Sequence, residues 1–485
     1  MNILVLNGSP KGDNSITLQT VLYLEKLYPE NHFTILNAGQ RIKALEKDFS
    51  PAMEAISKAD VLFFSYPVYT FVAPCQLHRF IELMKEHKVP VKDKFVTQLT
   101  TSKHFYDVTA HRYIQDNCQD MGMKFVKGLS ADMEDLTSKK GQQEATAFWK
   151  HFLWCVETDT YEPCYLKQTV PACKPVTPAV NAAEQGAPSF ITENLHTIPD
   201  ADNTSAKEKK DMVSDADTVT LPQEDEVVII ADYTDKDTQL IAMMERFRNK
   251  LPYKSRVVNI AEYPFRGGCL GCFNCASDGK CIYTDGFDTF LREKLQTARA
   301  MVYAFTIKDH SMGSVFKMYD DRQFCNGHRT VTMGMPIGYL ISGNLSEEEN
   351  LRTIIEARAQ VGSNILSGVA TDEFDPDKEI DNLAASLTYA LDNKYLQPQN
   401  FYGIGGMKIF RALIYQMRGM MKADHRFYKA HGQYDFPQKQ PGKILMMYLV
   451  GAMISSPKIK AKMGSKMTEG MLMPYKKVLN DLDKN

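Results

Sequence analysis

The run Ile3-Leu4-Val5-Leu6 passes straight into Asn7-Gly8-Ser9-Pro10-Lys11-Gly12-Asp13-Asn14-Ser15-Ile16-Thr17, and the reading of this stretch decides the fold. Uninterrupted apolar residues bounded by turn formers read as a strand buried on both faces. The glycine-rich turn that follows leads directly into the helical spacing of Ile16–Leu27, with Ser15 in an N-cap position. Outward from here the alternation continues. Phe33–Leu36, Val61–Phe64 and Phe95–Leu99 read as buried strands, and Gln76–Met84 and Thr109–Asp120 carry helical spacing. Alternation of this kind predicts a doubly wound parallel sheet with helices on both faces.

The pattern stops after Lys150. Residues 157–225 hold Pro163, Pro171, Pro175, Pro178, Pro188, Pro199 and Pro222 and polar runs that cannot build a core, so a linker is expected, wrapped on a domain near its start and disordered near its end. At Glu226 the alternation resumes through VVII, RVVNI, MVYAF, GYLIS and ILSGV and ends near Lys394. One α/β architecture is thus repeated with divergent sequence. The expected organisation is an α/β domain over 1–156, the linker over 157–225, a second α/β domain over 226–394, and a C-terminal helical segment over 395–485, which glycines would break into short helices.

A length of 485 residues suits two or three domains. With 44% hydrophobic and 24% charged residues, collagen-like and wholly disordered readings are excluded. The near-neutral total conceals an uneven distribution, because residues 401–485 hold 15 Lys and Arg against 5 Asp and Glu. This basic segment also carries 11 of the 25 methionines. It has two readings: helices that cover the acidic α/β domains, which is the favoured one, and peripheral contact with a membrane or partner. No motif points to nucleic acid. The longest apolar run, Ile444–Ile454, is too short for a transmembrane span, and the N-terminus is not built like a signal peptide, so a cytoplasmic protein is expected.

The first loop gathers backbone N–H groups and hydroxyls at a helix N-terminus, an arrangement that suits a phosphate, although an ordinary capped turn has the same outline. A second loop, Ser65-Tyr66-Pro67-Val68-Tyr69-Thr70-Phe71-Val72-Ala73-Pro74, follows the third strand, and Thr100-Thr101-Ser102 follows the next. All three lie at the carboxyl edge of the sheet, where open α/β folds bind ligands. These motifs resemble those of the flavodoxin-like NAD(P)H-dependent FMN reductase family. The resemblance implies two flavodoxin-like domains in tandem and an oxidoreductase using FMN and NAD(P)H. By the same resemblance Ser9, Lys11, Ser15 and Thr17 contact the FMN phosphate, and Pro67, Val68, Tyr69, Thr70, Phe71, Thr101 and Ser102 line the isoalloxazine. His104 and Tyr106 lie just beyond, as approach or structural residues. No side chain stands out as an obligatory catalytic acid or base.

Cys269, Cys272, Cys275 and Cys281 form a C-x2-C-x2-C-x5-C quartet among Gly267, Gly268, Gly271 and Gly279. Spacing leaves three readings open: an iron-sulfur cluster, zinc, or a loop without metal. The quartet resembles the ligand set of iron-sulfur flavoproteins, a branch of the same family, and that resemblance implies a [4Fe-4S] cluster. The remaining cysteines show no ligand spacing, and Cys75 and Cys118 read as core residues. The second repeat lacks the phosphate loop, carrying Asp232, Asp235 and Asp237 in its place, while the first lacks the cysteine loop. The losses are complementary, and because members of the family generally form dimers with flavin near the subunit interface, the resemblance implies an internal pseudo-dimer in which the second domain brings its cysteines to the first domain's flavin, with homo-oligomerisation left open. The expected function is electron flow from NAD(P)H through FMN, via the cluster, to a small-molecule or protein acceptor. The alternatives are a cluster-free quinone or FMN reductase, and a non-catalytic electron carrier or redox sensor.

Overall fold

The computed structural model describes residues 1–164, 174–178 and 226–458. Most of the expected linker, Cys173 and the tail after Lys458 lie outside the described residues. The chain divides into two compact units, Met1–Phe427 and Tyr428–Asn485.

The first repeat runs β1 (Asn2–Asn7), α1 (Ile16–Leu27), β2 (His32–Leu36), α2 (Ile42–Leu45), α3 (Ser50–Lys58), β3 (Val61–Pro67), α4 (Cys75–Glu86), β4 (Phe95–Ser102), α5 (Asp107–Asp120), β5 (Lys124–Phe125), β6 (Leu129–Asp132) and α6 (Lys139–Glu157). The second runs β7 (Glu226–Ala231), α7 (Thr238–Lys250), β8 (Lys254–Asn259), α8 (Phe287–Phe290), β9 (Ala300–Thr306), α9 (Gly313–Arg322), β10 (Pro336–Ser342), α10 (Glu349–Val361), β11 (Ile365–Thr371) and α11 (Pro376–Asp392). The sheets are ordered β2-β1-β3-β4-β5, with β6 also on β4, and β8-β7-β9-β10-β11. Every pairing is parallel. This is the doubly wound order 2-1-3-4-5, found twice.

Side chains alternate across each strand and so build three cores. Ile3, Val5 and Phe63 meet α1 and α6 on one face, through Leu18, Val21, Trp149 and Phe152. Val227 and Ile229 face α7 and α11 through Met243, Phe247, Ile380 and Leu387. Between the sheets a single apolar cluster runs from Leu4, Leu6 and Phe64 through the middle helices to Val228, Ile230 and Met301. The repeats therefore share one core. Residues 174–178 lie on the second repeat: Val176 is buried in its core, and Lys174 donates its N–H to Asp372 O at 2.9 Å.

Helices α4 and α9 form the centre of this interface and exchange caps. Pro74 and Met312, their N-cap residues, supply no side-chain cap. Asp321 of α9 instead accepts the Cys75 N–H at 2.8 Å, and Glu82 of α4 accepts the Ser314 N–H and hydroxyl, each at 2.8 Å. Each helix N-terminus is thus satisfied by a carboxylate from the other repeat. Nearby, the imidazole of His310 bridges Asp120 and Glu348, both at 2.9 Å.

The third segment begins with α12 (Phe401–Gln416), packed on α10, and continues in α13 (Lys422–Ala430). Gly403, Gly405 and Gly406 do not break α12, contrary to expectation. A Cβ on Gly403 would lie 2.8 Å from Gln360 O, and one on Gly406 2.8 Å from Val361, so two of these glycines permit close helix packing. In the second unit, α14 (Pro441–Ser455) is a separate helix.

Glu82→Ala removes the α9 cap and strands the cations that face Glu82. The expected loss is about 2–4 kcal/mol in chemical denaturation. Burial lowers the pKa of His310, but its bonds to Asp120 and Glu348 and their charges outweigh this and raise it to about 10. A raised imidazole pKa stabilises fully below the unfolded value, near 6.5, and is lost as pH rises towards 10. Thermal melts of wild type should therefore fall more steeply over that window than melts of His310→Gln, and parallel slopes would remove the role given to His310.

Candidate active site

The three loops predicted to converge do so at the carboxyl edge of the first sheet. Asn7 organises the first loop, donating its side-chain amide to Gly12 O at 2.9 Å and accepting the Ser9 N–H at 3.2 Å. The Ser9 hydroxyl accepts the Lys11 N–H at 3.3 Å, and the Ser15 hydroxyl caps α1 by accepting the Leu18 N–H at 3.4 Å. In these bonds both hydroxyls act as acceptors, so each keeps a proton to donate. A loop with two spare hydroxyl donors at a helix N-terminus fits a phosphate. Thr17 and Thr101 join the first and third loops through a 2.6 Å hydrogen bond between their hydroxyls. Ser102 accepts the His104 N–H at 2.8 Å.

The second loop is a tight turn. Tyr69 and Val72 exchange backbone hydrogen bonds of 2.8 and 3.0 Å, with Thr70 and Phe71 at φ +40° and +72° between them. Positive φ at two consecutive non-glycine residues is strained and needs external support. The second repeat provides it: Lys317 donates to Tyr69 O at 3.0 Å and to the Thr70 hydroxyl, while Thr70 donates to Asp321 at 2.7 Å. Lys317 and Asp321 are themselves ion-paired and fully buried. Pro67 and Val68 are half-buried at the start of the loop. The Phe71 ring points into the core against Phe105 and Tyr106, at 5.0 and 4.5 Å between centroids.

The cysteine loop of the second repeat lies directly against these loops. A Cβ on Gly271, at φ +59°, would stand 2.0 Å from Tyr69 Oη, and one on Gly268 would stand 2.2 Å from Cys75 Sγ. Only glycine allows so close an approach. Gln76 reaches Cys269 O at 3.4 Å, Lys11 Nζ lies 5.9 Å from the Phe273 ring centroid, and the Tyr69 ring meets Phe324 edge-on at 5.7 Å. The base of the loop is clamped by buried Arg322, which donates to both Asp285 oxygens at 2.8 and 2.7 Å and to Gly267 O at 2.9 Å.

Burial pushes the thiols of Cys269 and Cys75 well up, Cys275 to about 11, and Cys325 to about 12. The Cys275 thiol donates to Phe324 O at 3.1 Å, Cys269 Sγ accepts the Gly271 N–H at 3.4 Å, and Cys281 Sγ lies 3.9 Å from Arg322 Nη2. Among the described residues no group of three or more Cys, His, Asp or Glu is arranged to hold a metal ion. As placed, the four thiols do not form a cluster's ligand set. Cys75 and Cys325, which spacing left out, belong to the same neighbourhood, and the chain's folding back on itself is their only signal.

The second repeat repeats the tight turn at Lys308–Ser311, with Asp309 and His310 at φ +51° and +61°. At its first loop, burial and then the charges of Asp237 and Glu82 raise Asp232 to about 6. His104 is exposed and pairs with Asp107 at 2.9 Å, whereas Tyr106 donates to Tyr402 O of α12 at 2.9 Å and serves packing.

Two doubly wound sheets with glycine, hydroxyl and aromatic loops at one carboxyl edge define a flavodoxin-like tandem. Residues 1–131 match the family described as NADPH-dependent FMN reductase. An iron-sulfur flavoprotein of Archaeoglobus fulgidus is 23% identical over 175 residues, covering 34% of this chain and 78% of that protein. Among solved structures, apo NADH:FMN oxidoreductase EMOB is 19% identical, covers 31% of this chain and 87% of its own, and has a TM-score of 0.27. An NAD(P)H:quinone oxidoreductase from Methanothermobacter marburgensis is 12% identical, with 34% and 98% covered and a TM-score of 0.26. The match to NADPH-dependent FMN reductases is carried by the first repeat, on the residues that hold its edge loops.

Lys317→Met removes the buried cation beneath the turn. It should weaken FMN binding about 10- to 100-fold by fluorescence titration although Lys317 lies in the other repeat. Unchanged affinity would mean that the turn holds its shape without this support.

Proposed function

We propose that the first repeat binds one FMN and accepts reducing equivalents from NAD(P)H, while the second repeat covers the site with its cysteine loop. The support is the meeting of Tyr69 with Gly271, which puts the loops of the two repeats in contact. FMN, when bound, supplies hydride acceptance and release of electrons singly or in pairs. Ser9, Ser15, Thr17 and the Lys11 charge serve the phosphate end, and Pro67, Val68, Tyr69, Thr70, Thr101 and Ser102 the ring end. Phe71 acts through its backbone. Burial holds the Tyr69 phenol protonated far above neutral pH, which makes it a hydrogen-bond donor and not a base. The second repeat is proposed not to bind FMN at its own first loop, where Asp232 and Asp237 would repel a phosphate. This division of labour follows the segments 1–156, 157–225, 226–394 and 395–485.

A second reading, the [4Fe-4S] cluster on Cys269, Cys272, Cys275 and Cys281, is favoured by the spacing and by the likeness to an iron-sulfur flavoprotein. The thiol arrangement does not favour it, so no electron step is routed through it. Iron and acid-labile sulfide counts on anaerobically purified protein decide between the two.

Flavin analysis should give one FMN per chain together with steady-state NAD(P)H oxidation. Lys11→Ala should lower FMN affinity about tenfold through loss of a charge-assisted contact. Two FMN per chain, or bound flavin without NAD(P)H oxidation, would overturn this reading.

A further inference from the structure

Helix α14 is an anomaly in a water-exposed chain. Its sequence, Pro441-Gly-Lys-Ile-Leu-Met-Met-Tyr-Leu-Val-Gly-Ala-Met-Ile-Ser455, is apolar all round, and such helices are normally buried in a core or a membrane. Here Leu445, Met446, Met447, Tyr448, Leu449 and Met453 are between 50% and 74% exposed. A Cβ on Gly442 or Gly451 would meet nothing within 4 Å. The favoured reading of the basic segment, helices covering the α/β domains, describes α12, which packs on α10. Fifteen helical residues extend about 22 Å, short of the roughly 30 Å hydrocarbon core, and no helix among the described residues is long and apolar enough to cross a membrane.

The charges around α14 indicate what covers it. Lys439, Lys443 and Lys458 bracket the apolar stretch, Lys460, Lys462 and Lys466 follow in sequence, and no Asp or Glu occurs from Phe436 to Thr468. A second copy of the chain would bring these lysines against one another. An anionic lipid surface would neutralise them while the apolar side chains enter the boundary between headgroups and acyl chains. We infer that α14 is a monotopic anchor that docks the oxidoreductase on anionic membranes through Leu445, Met446, Tyr448 and Leu449, with the flanking lysines on the headgroups.

The test uses the full chain with vesicles of phosphatidylcholine alone or mixed with phosphatidylglycerol. Wild type should co-sediment with the anionic vesicles at least tenfold more than with neutral ones, and high salt should weaken this binding. Leu445→Glu/Leu449→Glu should abolish binding with flavin content unchanged, and Lys443→Glu/Lys458→Glu should remove the preference for anionic lipid. Two results would overturn the inference: wild type left in the supernatant with both vesicle types, or light scattering that shows a dimer split by Leu445→Glu/Leu449→Glu.

Discussion

The structure depends on an exchange of carboxylates between two helices. A buried carboxylate is costly unless it is paired and hydrogen-bonded, and two of those at the interface, Glu82 and Asp321, stand at the same place in the two repeats. Each caps the other repeat's helix, and each is neutralised, Asp321 by Lys317 and Glu82 by Lys308 and Arg79. Neither repeat is satisfied alone. Fusion in one chain keeps the partner at high effective concentration, which lets so polar a centre persist inside a continuous apolar core.

The exchange is symmetric but its cations are not. Lys317 is fully buried and aimed at the Tyr69–Thr70 turn, whereas Lys308 is half-exposed and pairs with Glu82. The position matching Lys317 in the first repeat is His78, stacked on Tyr113 at 4.1 Å; burial, reinforced by Lys317, drives its pKa down and leaves it neutral. A fully buried lysine therefore supports the first repeat's turn, while the matching place behind the second repeat's turn holds a neutral imidazole. The second repeat's turn has the same backbone, but His310 within it is committed to Asp120 and Glu348. The first repeat's turn thus stays at the sheet edge, whereas its counterpart is tied into the interface.

Much of this was legible in the sequence and some of it could not be. Strands such as Ile3–Leu6 and Val227–Ile230 are announced by uninterrupted apolar runs, and the loops at the sheet edge by Gly, Pro, Ser and Thr. The turn at Thr70–Phe71 gives no such signal, because neither residue favours positive φ and the support comes from Lys317, far away in sequence. Lys317 and Asp321 read locally as an ordinary i,i+4 surface pair. Aligning the repeats would have exposed them, since Glu82 and Asp321 then coincide as acidic residues inside otherwise apolar helices. The glycines of α12 misled for a related reason: glycine lowers helix propensity, but here packing against α10 outweighs it.

The cysteine loop presses on the first repeat's edge loops with glycine backbone, and both cations and carboxylates lie around it. Arg322 lies 3.9 Å from Cys281 Sγ, Arg292 and Arg329 both donate to Cys325 O, and Lys11 stands over Phe273. Burial makes ionising these thiols costly, as the raised values of Cys269, Cys275 and Cys325 express; Asp321, Asp424 and Asp288 add to that cost at the three sulfurs in turn, while Arg292 offsets part of it at Cys325. The thiols at the junction of the two repeats are thus held in their neutral form by burial and by the carboxylates beside them.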